Sequence, residues 1–430
     1  MYLKPTREER SWILYDWANS AYTIIITTAI FPLFYQTVTS ESTYVATWAF
    51  GNSAASLFVA ILAPILGTIA DYRNRKKRFF SFFLAVGIAT TIALVFIGEG
   101  QWLLAIVIYA VSVVGFAGAN LFYDAFLVDV TTNERMDRVS AAGFGFGYIG
   151  GSTIPFVITI VMILNYEALG FESREAVYRV SFLMTAAWWA VFSIPILRNV
   201  KQHYAIEPSA TPIHDSFIRL RDTLRDMSRY RNIFVFLAAY FFYIEGVNTV
   251  IRMATPIAVS MGIEQNTLII ILLVIQITAF PFAILYGRLA KAFTGRSMIF
   301  VGILVYTAVA LLAFFLPSIP DLQTRTRLFW VLSIMVASSQ GGIQALSRSY
   351  FGKFVPKNKS SEFFGFYNIV GKFSAIVGPF LVGAFTWLTG EERYGILSVL
   401  FLFLIGGAIL TRTKRESAVD ETARSGPTEA

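Results

Sequence analysis

Glu245 and Lys372, opposite in sign, each stand inside a long apolar run, and so does Arg252. A charge in such a run is costly, which makes each of the three a functional candidate. Glu245 falls about 12 residues into its run, ~18 Å at the helical rise, and Lys372 about 10 residues into its own from the same side, ~15 Å. A carboxylate at that depth shifts toward its neutral form. The chemistry this suggests is proton titration at Glu245, biased by Lys372. A static ion pair joining the two runs is the alternative.

Other polar residues recur around these charges. Asp16-Trp17-Ala18-Asn19-Ser20 in the first apolar run matches Glu245-Gly246-Val247-Asn248-Thr249 in the seventh. Carboxylate, amide and hydroxyl repeat at offsets of zero, three and four, one face of a helix. Asn19 and Asn248 offer donors and acceptors suited to a zwitterionic or polyol solute, or to an interhelical hydrogen bond. Asn120 and Asp124 share a face of the fourth run at i and i+4. Arg252, about two turns beyond Glu245, is placed either to meet a substrate carboxylate bidentately or to snorkel to the outer interface. Repeat symmetry sets Asp16 level with Glu245, whereas hydropathy sets it a turn or two from the cytoplasmic edge.

About twelve apolar runs must position these residues. The pattern predicts spans at residues 12–37, 44–69, 79–98, 102–128, 140–164 and 178–197. After a break it predicts spans at 233–258, 267–293, 298–316, 328–349, 363–388 and 394–411. Each is close to the ~20 residues that cross a hydrocarbon core. The chain of 430 residues is 56% hydrophobic and only 14% charged, against about 25% charged in a soluble domain. Of its 35 Lys and Arg, 28 lie in alternate connections, at the span ends that flank them, and in the two tails. Cytoplasmic loops keep Lys and Arg, so this alternation places both termini in the cytoplasm of an integral multi-pass protein of a bacterial-type inner membrane. The net charge of +8 is then explained by anionic lipid headgroups rather than nucleic acid.

Absences exclude other classes. The chain has no Cys, which removes disulfides and thiolate metal sites. His203 and His214 both lie in the polar central connection. No span holds a nucleophile–base pair, HExxH, G-x-S-x-G or Walker loop, so neither an enzyme, nor a metal site, nor a cofactor is expected. The first apolar run is too long for a signal-peptide h-region.

The break at 198–232 divides the chain into bundles at 1–197 and 233–412, followed by a disordered tail at 413–430. Within the break Phe217, Leu220, Leu224 and Met227 recur at helical spacing among Arg219, Arg221, Arg225 and Arg229. That suits an amphipathic helix on the membrane surface or a solvated linker. The two sets of six spans echo each other. Besides the Asp16 and Glu245 motifs, Gly67…Asp71 closes span two as Gly287…Lys291 closes span eight, and Ser140 opens span five as Ser361 opens span eleven. Parallel halves of this kind are a transporter architecture, with the solute expected near the midplane. Gly143, Gly147 and Gly151, four residues apart, let helices approach backbone to backbone and are expected at the sliding contact of the halves, with static packing as the alternative. Intraspan prolines are compatible with bending.

The loop Gly67-x-x-x-Asp71-Tyr72-Arg73-Asn74-Arg75-Lys76-Lys77 resembles the loop motif of the major facilitator superfamily, departing from it at Tyr72 and Asn74. The physical reading is a conformational latch. Gly67 permits close approach, and Asp71 pairs with an arginine or a helix N-terminus beside the basic Arg75 and Lys76. Lys291 replaces the acid in the second copy, so that latch is expected to be degenerate.

Tyr15-Asp16-Trp17-Ala18-Asn19-Ser20-Ala21, Tyr243-x-Glu245-Gly246-x-Asn248-Thr249, Gln344-x-x-x-Arg348-Ser349 and Glu362-x-x-Gly365-x-Tyr367…Gly371-Lys372 together resemble one branch of that superfamily. The branch is the vacuolar amino-acid effluxer family of autophagy and its bacterial relatives. The resemblance runs from Trp12 to about Gly390. It implies a twelve-helix major facilitator fold, an all-α membrane protein of two pseudo-symmetric six-helix bundles, and adds Gln344 to the substrate and coupling candidates. From the fungal members it implies export of neutral amino acids. Glu245, where the family more often has Asp, and Asp124, where Asn is common, bear on the substrate. The resulting expectation is a monomeric secondary transporter, H⁺-coupled and working by alternating access on a small polar solute. Proton-coupled import of sugars or other organic solutes, and a non-transporting receptor, are the alternatives.

Overall fold

In the computed structural model, residues 4–39, 47, 57–59, 61–207, 211–225 and 229–414 are described. Ten helices among them are long and apolar enough to cross a membrane: Arg7–Val38, Arg75–Phe96, Trp102–Val130, Asn133–Leu164, Arg174–Asn199, Arg231–Ala254, Ile270–Phe293, Gly295–Ser318, Leu322–Phe354 and Arg393–Leu410. Two further helices stand where the remaining spans are expected. Residues 61–70 are helical, while most of the region before them lies outside the described residues. Ser360–Thr389 is 30 residues long, ~45 Å of helix and ample for a crossing. We number the ten spans and these two helices in chain order, so that residues 61–70 carry the label span two and Ser360–Thr389 the label span eleven. The only β pairing among the described residues is an isolated bridge between Tyr72 and Ile206.

Local chemistry sets the span ends. Span one begins five residues before its apolar run because Thr6 and Glu9 form a capping box. Thr6 Oγ1 accepts from the Glu9 N–H at 3.1 Å, and the Glu9 carboxylate accepts from the Thr6 N–H at 2.8 Å, satisfying donors that a helix opening leaves unpaired. Ser173 and Asp321 cap spans six and ten through side-chain oxygens. Asn74, at φ 62°, makes the left-handed turn into span three. Asn tolerates this region better than most residues. Phe96, Leu164, Phe380, Trp387 and Leu388 remain largely exposed, as apolar side chains can when the solvent is lipid.

Two π-helical stretches, Thr23–Ala29 in span one and Gly147–Thr153 in span five, interrupt otherwise regular spans. The second is the glycine-rich stretch. A Cβ at Gly147 would stand 2.7 Å from Ser20 Oγ, one at Gly150 would overlap the Trp17 ring, and one at Gly151 would stand 2.6 Å from the Trp17 carbonyl oxygen. The expectation of a sliding contact between halves is therefore corrected for Gly147 and Gly151. Gly147 and Gly151 seat span five against span one of the same unit, because only a bare backbone fits beside Trp17 and Ser20. Gly143 is buried one turn earlier.

Packing divides the chain into two units. The first holds residues 1–131, 146–221 and 356–366; the second holds 132–145, 222–355 and 367–430. The expected split in the central connection is modified by two short exchanges. The opening of span five groups with the second unit and the opening of span eleven with the first. In the central connection, Pro212–Arg225 forms the expected amphipathic helix, but its inward face is polar. Ser216 and Thr223 are buried while Phe217 is half exposed. Leu224's side chain and Met227 lie outside the described residues.

Adding one methyl group at Gly151 tests this packing. Gly151→Ala is expected to destabilise the protein by about 1–3 kcal/mol through overpacking, read as a lower melting temperature in detergent. Gly383→Ala, where a Cβ meets nothing within 4 Å, is expected to be neutral or mildly stabilising. Equal melting of the two variants would contradict the contact.

Candidate functional site

In the first unit the candidate polar residues gather on spans one and four. Asp16 and Asn19 are both buried, at 7% and 6% exposure. Asn19 Nδ2 donates to Asn120 Oδ1 at 2.9 Å. Three further contacts set this register. The Trp12 indole N–H donates to the Tyr123 carbonyl at 2.8 Å, its ring stacks on Tyr123 with centroids 4.4 Å apart, and the Tyr22 and Ser112 hydroxyls lie 2.7 Å apart. Span six closes the cluster, with Trp189 Nε1 donating to the Tyr15 hydroxyl at 3.3 Å. Asp124 is half-buried on the same face of span four as Asn120.

In the second unit Glu245 is fully buried. Its Oε1 accepts the backbone N–H of Gly378 in span eleven, and its own carbonyl accepts from Thr249 Oγ1 at 2.8 Å. A side chain at Gly378 would overlap Thr249 Oγ1, so the glycine is what admits the carboxylate to the helix backbone. Asn248 and Gln344 are half-buried. Arg252 is exposed and makes no ion pair among the described residues. Lys372 lies in span eleven, but its side chain falls outside the described residues. The residue seen against Glu245 is therefore Gly378, about a turn and a half further along the span than Lys372.

The loop after span two makes a third cluster. Asp71 is buried; its Oδ1 accepts the Ser361 N–H at 2.8 Å and its Oδ2 the Glu362 N–H at 3.0 Å. These are opening N–H groups of span eleven, which have no acceptor within their own helix. A Cβ at Gly67 would overlap the Ser361 carbonyl, and one at Gly365 would stand 2.9 Å from the Ala63 carbonyl. Lys76, wholly buried, donates to Asp129 Oδ2 at 2.6 Å and Ser360 Oγ at 2.7 Å. Arg75, expected beside it in this role, is exposed. It is Lys76 that the turn at Asn74 directs inward. Asp129 Oδ1 accepts the N–H groups of His203 and Tyr204 at 2.8 and 2.9 Å. Arg219 reaches Glu362 at 3.3 Å and lies over the Tyr72 ring. Arg219 of the central-connection helix thus covers Asp71's neighbours. Burial pushes the Asp71 carboxyl up to about 7, only partly offset by Lys76 and the two N–H donors, with Glu362 adding to the rise.

The second unit has a counterpart built from other residues. Gly287 lies against Ala141, and Lys291 is exposed. Lys291 takes no part in a latch, in line with the degenerate second copy, and the opening of span five is held from span ten instead. Arg348 donates to Ser140 Oγ at 3.0 Å and to the Ser140 carbonyl at 3.2 Å, and lies 4.4 Å over the Phe144 ring. Ser349 donates to Asp137 Oδ1 at 2.6 Å, and Lys353 pairs with Asp137 Oδ2. Asp129, Asp137, Lys353 and Gly378 are not singled out by the sequence reading, and Arg348 and Glu362 enter it only through the motifs of the family resemblance, without a role. The signal available for the two aspartates and Lys353 was only their place at span ends.

The repeated helical halves and their polar clusters define a membrane transporter of the major facilitator type. Solved structures agree on the fold: the human organic anion transporter MFSD10 (TETRAN) superposes with a TM-score of 0.70 at 15% identity, over 94% of this chain and 99% of that one. The family model for "Vacuole effluxer Atg22 like" matches residues 43–423, and the chain belongs to that family. It is 49% identical over 421 residues, 96% of each chain, to the uncharacterized MFS-type transporter YxiO of Bacillus subtilis (strain 168). It is 26% identical over 285 residues to autophagy-related protein 22-1 of Penicillium rubens, covering 62% of this chain and 46% of that one. The protein is a transporter, not an enzyme, and an integral multi-pass membrane protein.

The Asp71 geometry fixes a pH dependence of stability. A free carboxyl titrates near 3.8 and this one near 7, so between those values the folded chain holds a proton that the unfolded chain has lost. The contribution of Asp71 is whole below the lower value and is lost as pH rises through the upper. Asp71→Asn does not titrate. Wild type is expected to lose melting temperature relative to Asp71→Asn between about pH 5 and about pH 7.5. A constant difference across that range would contradict the buried placement.

Proposed function

We propose that this protein is a proton-coupled secondary transporter that exports neutral amino acids or solutes of like polarity by alternating access. The observation that carries the reading is Glu245, fully buried in a membrane span and engaged with the backbone N–H of Gly378. A carboxylate inside a membrane-crossing span is costly to place there and is a functional candidate by default. Glu245 is assigned the coupling proton. Lys372, about one and a half turns from Gly378 on the same span, is assigned the bias on its charge.

Solute recognition is assigned to Asp16, Asn19, Asn120 and Asp124 of the first unit and to Asn248, Gln344 and Arg252 of the second. Amides supply both donors and acceptors, carboxylates receive an ammonium group, and the Arg252 guanidinium receives a carboxylate. The Asn19–Asn120 hydrogen bond supports this because it holds two amides together inside the first unit. Membership in the effluxer family supports the amino-acid assignment.

Asp71, with Gly67, Lys76 and Arg75, is assigned the role of a latch that favours one conformation of the cycle. The supporting geometry is its double acceptance of span eleven's opening N–H groups. Both termini are placed in the cytoplasm and the working unit is taken as a monomer. The alternating basic loops support that orientation.

Glu245→Gln tests the coupling. In proteoliposomes the variant is expected to retain solute exchange and to lose solute movement driven by a pH gradient. An unchanged response to the gradient would remove Glu245 from the coupling role. Loss of exchange as well would place it in solute binding.

A further inference from the structure

A cavity of about 430 Å³ lies at the opening of span one, lined by Arg7, Arg10, Ser11, Leu14 and Pro195. Its size falls in the range of small-molecule sites. Exposed Arg7 and Arg10 bring two positive charges to its lining, and half-buried Leu14 and Pro195 supply its apolar part. Asn199 Nδ2 donates to Ser11 Oγ at 2.9 Å and fixes the end of span six against span one. Arg198, exposed three residues beyond Pro195, adds a third positive charge on nearly the same side of span six.

The acids of the same turn face elsewhere. Glu8 meets His203 at 3.0 Å, and Glu9 is held by the Thr6 N–H and by Thr131. Arg10 Nε donates to the Pro5 carbonyl at 3.1 Å, which sets the orientation of its guanidinium. Among the described residues neither Arg7 nor Arg10 has an acidic partner. The cavity is therefore positive at the end of a membrane-crossing helix and apolar along that helix.

We infer that this cavity binds an anionic phospholipid, with Arg7 and Arg10 on its phosphodiester and an acyl chain against Leu14 and Pro195. Guanidinium recognises phosphate oxygens by paired, charge-assisted hydrogen bonds. Basic pockets between spans at a membrane face suit anionic headgroups. A free phosphate shares the headgroup chemistry but makes no use of the apolar wall, so the occupant is assigned to the lipid. The site is separate from the polar clusters assigned to the solute.

The test is lipid retention by the purified full chain in an uncharged detergent, read by native mass spectrometry. Dioleoylphosphatidylglycerol, dioleoylphosphatidylcholine and inorganic phosphate are added in separate arms. Wild type is expected to retain phosphatidylglycerol in preference to phosphatidylcholine. Arg7→Gln/Arg10→Gln is expected to bind it about tenfold more weakly, the scale of one lost charge-assisted contact. Leu14→Trp keeps both charges but fills the apolar part, and it too is expected to lose retention. It decides the matter if the double variant fails to fold. Arg174→Gln/Arg393→Gln, with the same change in charge elsewhere, is expected to bind as wild type. Three results would overturn the proposal: undiminished phosphatidylglycerol binding by Leu14→Trp or by a folded Arg7→Gln/Arg10→Gln, equal loss in the charge control, or displacement of the lipid by phosphate.

Discussion

A helix opening carries N–H groups with no acceptor of their own, and in a membrane protein water does not always reach them. Asp71 accepts two such groups from the start of span eleven, and much of the first unit is arranged around that contact. Gly67 and Gly365 have no side chains because the Ser361 and Ala63 carbonyls occupy the space. Lys76 lies within the field of Asp71, bridging Asp129 to Ser360. Asp129 in turn holds the backbone of the central connection at His203 and Tyr204. Removing one charge from such a buried set leaves another uncompensated, which costs more than the pair itself contributes.

The second unit also ties down a helix opening, with different side chains. The opening of span five is held by Arg348, Ser349 and Lys353 of span ten, acting on Ser140 and Asp137. In the first unit an acid serves the N–H groups of a helix opening. In the second, the acid lies on the opening helix and the bases come from its neighbour. What the duplication preserves is the requirement that each opening be tied down by charge. Residue identity at a given offset is less constrained, which is why Lys291 can stand exposed where the first repeat has Asp71.

Much of the architecture was legible because hydropathy and charge bias act through the solvent. Apolar runs of about twenty residues have few alternatives to a crossing helix. The spacing of Asp16 and Asn19 placed them on one helical face, and the structure finds both buried there. The same reasoning misjudged Gly147 and Gly151. A small-residue stripe states that a backbone approaches closely without stating whose, and the partner proved to be span one. Nor does an amphipathic pattern distinguish solvent from a buried acid such as Glu362 as the destination of a charge like that of Arg219.

From its residues alone the chain determined a duplicated set of membrane-crossing helices, its basic connections and the few ionisable groups within the spans. Those properties are local sums over short windows. The tertiary structure alone decided that Glu245 meets the Gly378 backbone, that Lys76 rather than Arg75 turns inward, and that Asp71 serves groups 290 residues away. Such partners are fixed by which backbones can approach within hydrogen-bond range. That depends on the packing of whole helices, a property no single window of sequence contains.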